Sequence, residues 1–386
     1  MRRFMTVLTL ALAAGWVSAQ TRPTSQPSRE TVQQFLQLEQ QLGQLLAGKH
    51  YEESLPIIQQ QIDLIPNTPG PYYNRACVQA QLGHPDEALV DLEKTLDNGY
   101  ADVLHLRTDP DLESLREKPK FKEILARTRE NQLKAPHEAG REIKEVRTIE
   151  GFPEAGLRYR IRHSLDASAA KPDRLIIWFH PSGGSGDDMI ESLSPQFAKH
   201  GFAVMVLTQK QFGGWTGPEL EALLNKTLPD VATHKEIDCR RPILMGFSAG
   251  GQMALMAWMD NPTGFSGLVL DAAYPVIQQA NGQYKGMPLP KGEAATKTPM
   301  FVLIGGADGV AGVWKQAEPI WNKAGVPLTI HYIPNRQHEW LFGPAQVELL
   351  LAWLDDVKAG KATTQPATAP TSAPAEPAPT TEPATW

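Results

Sequence analysis

The sequence predicts a mainly parallel, doubly wound α/β sheet preceded by a small all-α module. Between residues 30 and 133 apolar side chains recur at three- and four-residue intervals, and no good strand interrupts them. From about 145 to 358 the period changes: short, uniformly apolar β-type runs alternate with helical stretches, the pattern of strands covered on both faces by helices. The 386 residues suffice for two or three domains, and 41% apolar with 21% charged residues is a globular balance.

The chain opens with "MRRFMTVLTLALAAGWVSAQ". Arg2 and Arg3 precede an apolar run from Phe4 to Trp16 and a small-residue site, Val17-Ser18-Ala19. Residues 1–19 therefore read as a signal peptide, and a secreted or periplasmic location is expected. The run is short of the roughly 20 residues that a span needs, and no later segment is longer, so no membrane span is expected after cleavage. Residues 20–29, "QTRPTSQPSR", read as a polar linker. The tail, residues 359–386, is almost only Ala, Pro, Thr, Ser and Glu; disorder is expected, because it has too little apolar surface to offset its ordering entropy. A net charge of −6 with no Lys/Arg run argues against a nucleic-acid partner. Cys77 and Cys239 fall in different predicted domains, so no disulfide framework is expected, and their count excludes a cysteine-based metal site.

Within the helical module, residues 30–133, "QQFLQLEQQLGQLLAG" and "YEESLPIIQQQIDLIP" are followed by "PYYNRACVQAQLGHPDEALVDLEKTLDNG". Ser54 and Ala88 stand 34 positions apart in equivalent settings. This region resembles the tetratricopeptide repeat over about two units. Small residues at Ser54, Ala76 and Ala88 let paired helices approach, Gly83 makes the turn, and Pro66 ends the first unit. The pattern departs at Gln79 and Thr95, where an aromatic and a small residue are common. "VLHLRTDPDLESLREKPKFKEIL" looks like a helical cap. Two such units are marginal alone, so the module is expected to pack on the following domain; binding a protein partner is its other open role.

In the second domain, 145–358, the strand candidates are "LRYRIRHSL", "RLIIWFH", "FAVMVL", "RPILMGF", "GLVLDAA", "MFVLIGG" and "LTIHYI". Helices are expected at about 187–199, 217–233, 249–260, 311–324 and 344–358. In sheets of this kind the ligand crevice lies outside the carboxyl ends of the strands. Four strand ends carry suggestive chemistry: His180-Pro181-Ser182-Gly183-Gly184, Gly246-Phe247-Ser248-Ala249-Gly250, Gly305-Gly306-Ala307-Asp308, and the stretch from Pro334 to Trp340 that contains His338.

A G-x-S-x-G match alone is weak, but here it follows a strand and opens a helix, as a nucleophile elbow requires. An acid at a later strand end and a histidine near the domain's end complete the order Ser, Asp, His. Residues 145–358 thus resemble the α/β-hydrolase family of serine hydrolases, and "HPSGG…GFSAGG…GGAD…HEW" is most similar to its esterase and polyester-depolymerase branch. The resemblance implies a sheet of the α/β-hydrolase type and the following roles. Ser248 attacks a carbonyl carbon, His338 moves its proton, and Asp308 orients His338. The N–H of Ala249 and one from the 180–184 loop hold the oxyanion. Pro181 lacks an N–H, so the loop donor is Ser182 or Gly183, with Ser182 preferred.

Asp271, ending "GLVLD", is a rival acid. His180, His234 and His331 read as structural, whereas Trp215 and Trp340 divide evenly between pocket lining and packing. The expected activity is cleavage of a small-molecule or polymeric carboxylic ester, with no cofactor and no metal. Two alternatives stay open: a serine peptidase on the same scaffold, and a non-catalytic repeat scaffold with a vestigial hydrolase domain.

Overall fold

The computed structural model describes residues 28–134, 143–182, 187–207, 215–278, 284–289, 297–309 and 311–361. The expected signal peptide, most of the linker and nearly all of the tail lie outside the described residues.

The helical module begins with α1 (Arg29–Ala47), capped by Ser28, whose Oγ accepts from the Thr31 N–H at 3.1 Å. There follow α2 (Tyr51–Leu64), α3 (Pro69–Gln81), α4 (Pro85–Asp97), α5 (Val103–Thr108), a 3₁₀ turn (Pro110–Leu115) and α6 (Pro119–Lys134). Each of the first three helices packs on the next, and α4 packs on α6. Ser54, Ala76 and Ala88 are fully buried where they meet, and Gly83 takes φ +80° in the turn between α3 and α4. The cap is thus a short helix, a 3₁₀ turn and a longer helix that close the core around Leu106, Leu112, Phe121 and Ile124.

The module packs on the second domain. Leu104 joins that domain's core, and Arg107 donates to the Ala155 carbonyl at 3.2 Å. Arg129 donates to Phe152 O at 3.0 Å with its guanidinium 4.1 Å above the Phe152 ring, while Arg158 reaches back to Gln132 O at 2.7 Å. These bonds satisfy backbone carbonyls that the interface covers.

The second domain contains β1 (Val146–Gly151), β2 (Tyr159–Ser164), β3 (Asp173–Phe179), β4 (Phe202–Leu207), β5 (Ile237–Phe247), β6 (Gly267–Asp271), β7 (Val276–Gln278), β8 (Tyr284–Gly286), β9 (Met300–Gly305) and β10 (Leu328–Ile333). All but the β7–β8 hairpin form one sheet, in the order β1-β2-β4-β3-β5-β6-β9-β10. β2 is antiparallel to both neighbours, and every pair from β4 to β10 is parallel. The fold is the mainly parallel α/β sheet that the apolar runs predict, of the α/β-hydrolase type.

Period-two alternation sorts each strand's side chains between two cores. Leu175, Ile177 and Phe179 face the layer containing α11 (Ala249–Asp260) and α12 (Ala311–Lys323). Ile176 and Trp178 face the layer of α7 (Asp187–Glu191), α8 (Ser194–Lys199) and α13 (Pro344–Lys358). Between β4 and β5, α9 (Gly217–Ala222) runs through a π turn (Leu223–Thr227) into α10 (Leu228–Val231). Thr227 Oγ1 accepts from Leu157 N–H there at 2.8 Å. Among the described residues no helix is long and apolar enough to cross a membrane.

The structure adds elements the sequence does not announce. β1 is an edge strand in which only Val146 is buried, so it lacks an apolar run. β5 starts at Ile237 rather than at Arg241, because Asp238, Arg240 and Arg241 interrupt its apolar run. The stretch 187–199 is two short helices.

Candidate active site

Ser248 occupies the turn between β5 and α11 with φ 52° and ψ −118°. A side chain at positive φ is costly and persists only where the surroundings enforce it. Here its N–H bonds Asp271 O on β6 at 2.9 Å, and its carbonyl accepts Gln252 N–H at 3.1 Å. The glycines two residues to either side of it are sterically required. A Cβ on Gly250 would lie 1.8 Å from Phe179 O, in the adjoining strand β3. A Cβ on Gly246 would lie 2.3 Å from Gly250 C, in the first turn of α11. The turn therefore presents the hydroxyl at the strand's carboxyl end.

The histidine arrives on the loop after β10. That loop is stitched to the end of β9 by backbone bonds: Gly306 N–H to Ile333 O at 2.7 Å and Ala307 N–H to Arg336 O at 2.8 Å. Gly305 has no room for a side chain, since a Cβ would lie 2.2 Å from Gln337 O. The stitching brings together three of the predicted residues. Ser248 Oγ lies 2.8 Å from His338 Nε2, and His338 Nδ1 lies 2.9 Å from Asp308 Oδ2. The His338 side chain is 45% exposed and that of Asp308 only 4%. A substrate can reach the imidazole, then, while its carboxylate partner is shielded from water. The rings of Phe247 and Tyr274 lie 5.8 and 6.3 Å from the imidazole, tilted 30° and 25° to it.

The rival acid, Asp271, does not meet His338. It is fully buried, and its Oδ2 accepts Leu341 N–H at 3.0 Å, just past the histidine. Burial pushes its carboxyl well above the usual range, partly countered by the Leu341 bond. Its Oδ1 has no partner among the described residues.

Sequence reasoning missed Tyr274. Its hydroxyl donates to Asp308 Oδ2, the same oxygen that faces His338. Burial, then that bond, pushes the phenol's pKa far up, so it stays a donor. The one available signal was position: Tyr274 stands three residues past the end of β6.

Ala249 is the first residue of α11, where an N–H has no acceptor within its own helix. Ser182 is an exposed turn residue just past β3; Gly183 and Gly184 lie outside the described residues. Phe179 pairs with Gly246, so the 180–182 segment runs beside the Ser248 turn. Trp215 donates from Nε1 to His180 O at 3.0 Å and lies 4.7 Å from the His180 ring, which ties it to this segment. Trp340 packs edge-on against Trp178 at 5.6 Å and lies 5.0 Å from Phe342, so it joins the core. His331 sits in β10, 5.2 Å from the Phe301 ring, and burial lowers its pKa.

Away from this site, Cys77, Asp109 and Asp111 in the helical module bring ligand-type atoms within 4.8 Å of one another, a mixed set that the cysteine count overlooks. Asp109 Oδ2 already accepts from Tyr73 OH at 2.8 Å and from Cys77 Sγ at 3.7 Å.

No protein-family model matches the chain, and no curated protein matches it. Among solved structures, it is similar to an α/β-hydrolase enzyme from a Medee basin deep-sea metagenome library (18% identity, TM-score 0.45, 56% of this chain and 99% of that one). It is also similar to a bacterial heroin esterase (17%, 0.43, 57% and 86%) and to a Bacillus cereus carboxylesterase (16%, 0.38, 52% and 94%). Likenesses this distant say nothing of the reaction, which rests on the residues of the site.

Proposed function

We propose that the protein is a secreted or periplasmic serine hydrolase that cleaves a carboxylic ester through an acyl-enzyme. The observation that carries this reading is the hydrogen-bonded chain from Ser248 Oγ through His338 to Asp308, built on a strained turn. A serine hydroxyl is a weak nucleophile at its own pKa and needs an adjacent base. Ser248 Oγ attacks the ester carbonyl carbon while its proton passes to His338 Nε2. The carbonyl oxygen becomes an oxyanion held by the N–H groups of Ala249 and Ser182. Collapse breaks the bond to the alkoxide, which takes the proton from His338 and leaves as the alcohol. Water, deprotonated by the same imidazole, then releases the acid and restores Ser248. Asp308 holds the imidazole in the tautomer that accepts at Nε2 and stabilises the imidazolium. The substrate is a small-molecule or polymeric ester. The helical module buttresses the hydrolase domain and is free to hold a protein partner on its far side.

The test is labelling with a fluorophosphonate, with the modified peptide identified by mass spectrometry. Modification at Ser248, absent from Ser248→Ala, is the expected result. A folded wild-type chain that resists the probe and does not hydrolyse p-nitrophenyl acetate would sink this reading in favour of a non-catalytic scaffold.

A further inference from the structure

The strands that carry Ser248, Asp308 and His338 beyond their carboxyl ends line a basic groove at their amino ends. Its volume is about 660 Å³, and Arg174 at the start of β3, Asp238, Arg240 and Arg241 in β5, and Lys358 and Lys361 at the end of α13 face it. Such a concentration of cations stands out in a chain of net charge −6.

Local acids neutralise only part of it. Asp238 holds Arg240 at 2.8 Å, and Asp356 holds Lys361 at 3.1 Å. Arg174 donates to Val357 O at 3.3 Å, Arg241 to Phe265 O at 2.7 Å, and Lys358 to His200 O at 2.8 Å. Arg241 and Lys358 meet no carboxylate among the described residues, and Arg174 shares Asp238, its cross-strand partner, with Arg240. A guanidinium has five N–H donors, so each of these arginines keeps most of its capacity. The negative end of the α13 dipole accounts for Lys358 and Lys361. It does not account for Arg174 and Arg241, which sit on strands, where net dipoles are small.

The β3–β5 ladder points the same way. Its register steps from Arg174↔Asp238 to Ile176↔Ile243, so β5 carries extra residues at this point. That irregularity falls on Cys239, Arg240, Arg241 and Pro242, and it turns both arginines out of a regular ladder. Such bulges re-aim side chains. Crowded like charges repel unless an anion enters between them, and the planar fork of arginine fits phosphate oxygens in pairs.

We propose that this groove binds a small ligand carrying two or more phosphate groups. The cations come from two strands and a helix, which suits several separated negative charges better than one. Ser248 stands seven positions beyond Arg241, roughly 23 Å of extended chain, so the ligand does not touch the reacting atoms.

The test is calorimetric titration of the full chain with inorganic pyrophosphate at low ionic strength. One-site binding that weakens as salt is added is expected. In the double variant Arg241→Gln/Lys358→Gln the affinity falls on the order of a hundredfold, about tenfold per charge removed. A thermal melt and p-nitrophenyl acetate hydrolysis check that the variant is folded. No binding at millimolar pyrophosphate, or equal affinity in a folded double variant, overturns the proposal. Binding to phosphatidylglycerol vesicles without binding to pyrophosphate also overturns it, and makes this pole a lipid-contacting face instead.

Discussion

Asp271 closes β6 and Asp308 follows β9, its neighbour in the sheet, yet the two carboxylates sit in opposite circumstances. At the β9 end the loop turns through Gly306 and Ala307, so Asp308 comes round beneath His338 and takes donors from two sides, the imidazole and Tyr274. At the β6 end Asp271 points into the core and has one donor among the described residues, the N–H of Leu341. Both are aspartates at the carboxyl ends of neighbouring strands, Asp271 as the last residue of β6 and Asp308 three residues past β9. What differs is the number of donors around the charge, and that decides which carboxylate is stabilised as an anion. Asp271 braces the histidine loop from behind, while Asp308 faces the imidazole.

The most severe way to test this contrast is Asp308→Asn. The amide favours the wrong tautomer of His338, so kcat should drop by a factor on the order of 10³–10⁴ with the fold intact. Steady-state kinetics on an activated ester, alongside a melt, measures it. An equal loss in Asp271→Asn would mean that the two carboxylates are not distinguished as described.

Tyr274→Phe comes next. Removing the phenol takes one buried donor from Asp308, worth about tenfold in kcat/KM for a hydrogen bond to a charged group. The loss should fall on kcat with KM unchanged, because the phenol acts on the carboxylate that orients His338 and not on the substrate. Unchanged kcat in a folded variant would assign Tyr274 to packing alone.

Asp271→Asn should leave kcat/KM within about threefold, since the amide oxygen can still accept from Leu341 and the triad is untouched. Its effect belongs to stability. The folded carboxyl titrates above the unfolded one, so in the wild type the unfolded chain releases its proton first as pH rises. Stability is therefore lost as pH climbs from the ordinary carboxyl range, about 4, towards the raised folded value. The variant lacks this loss, and its melting temperature at pH 8 should exceed that of the wild type. A lower melting temperature for the variant at pH 8 would show that the buried carboxyl is not a liability there.

The smallest effect is expected farthest from the carboxylates. Arg107→Ala with Arg129→Ala removes the bonds to Ala155 and Phe152 that hold the helical module against the sheet domain. A fall of about 2–4 °C in melting temperature with unchanged kcat is expected, the scale of one interaction of about 1 kcal/mol in a large domain. A matching loss of activity would tie the module to the site itself.

Much of the molecule is written in short-range pattern. Uniformly apolar runs mark the strands of the inner sheet because burial on both faces leaves no place for polar side chains. The turn at "GFSAG" is legible for a similar reason: glycine at 246 and 250 is the only residue that clears the Gly250 backbone and Phe179 O. Ser54, Ala76 and Ala88 announce helix contacts by their size. Elements without such a signature are silent. β1 buries only Val146 fully, and the first half of β5 carries Arg240 and Arg241 outside the regular ladder.

The sequence by itself thus determined the fold class, the strained turn that presents Ser248, and a short choice of acids and bases at strand ends. Those follow from local sterics and from periodicity, which act between residues a few positions apart. Only the tertiary structure decided between Asp271 and Asp308, brought Tyr274 onto the chosen oxygen, and gathered Arg174, Arg241 and Lys358 at the far pole. Each of these depends on which strands lie side by side and on how one loop rests on a glycine of another. Those contacts join residues 30 to more than 180 positions apart, and no local pattern encodes them.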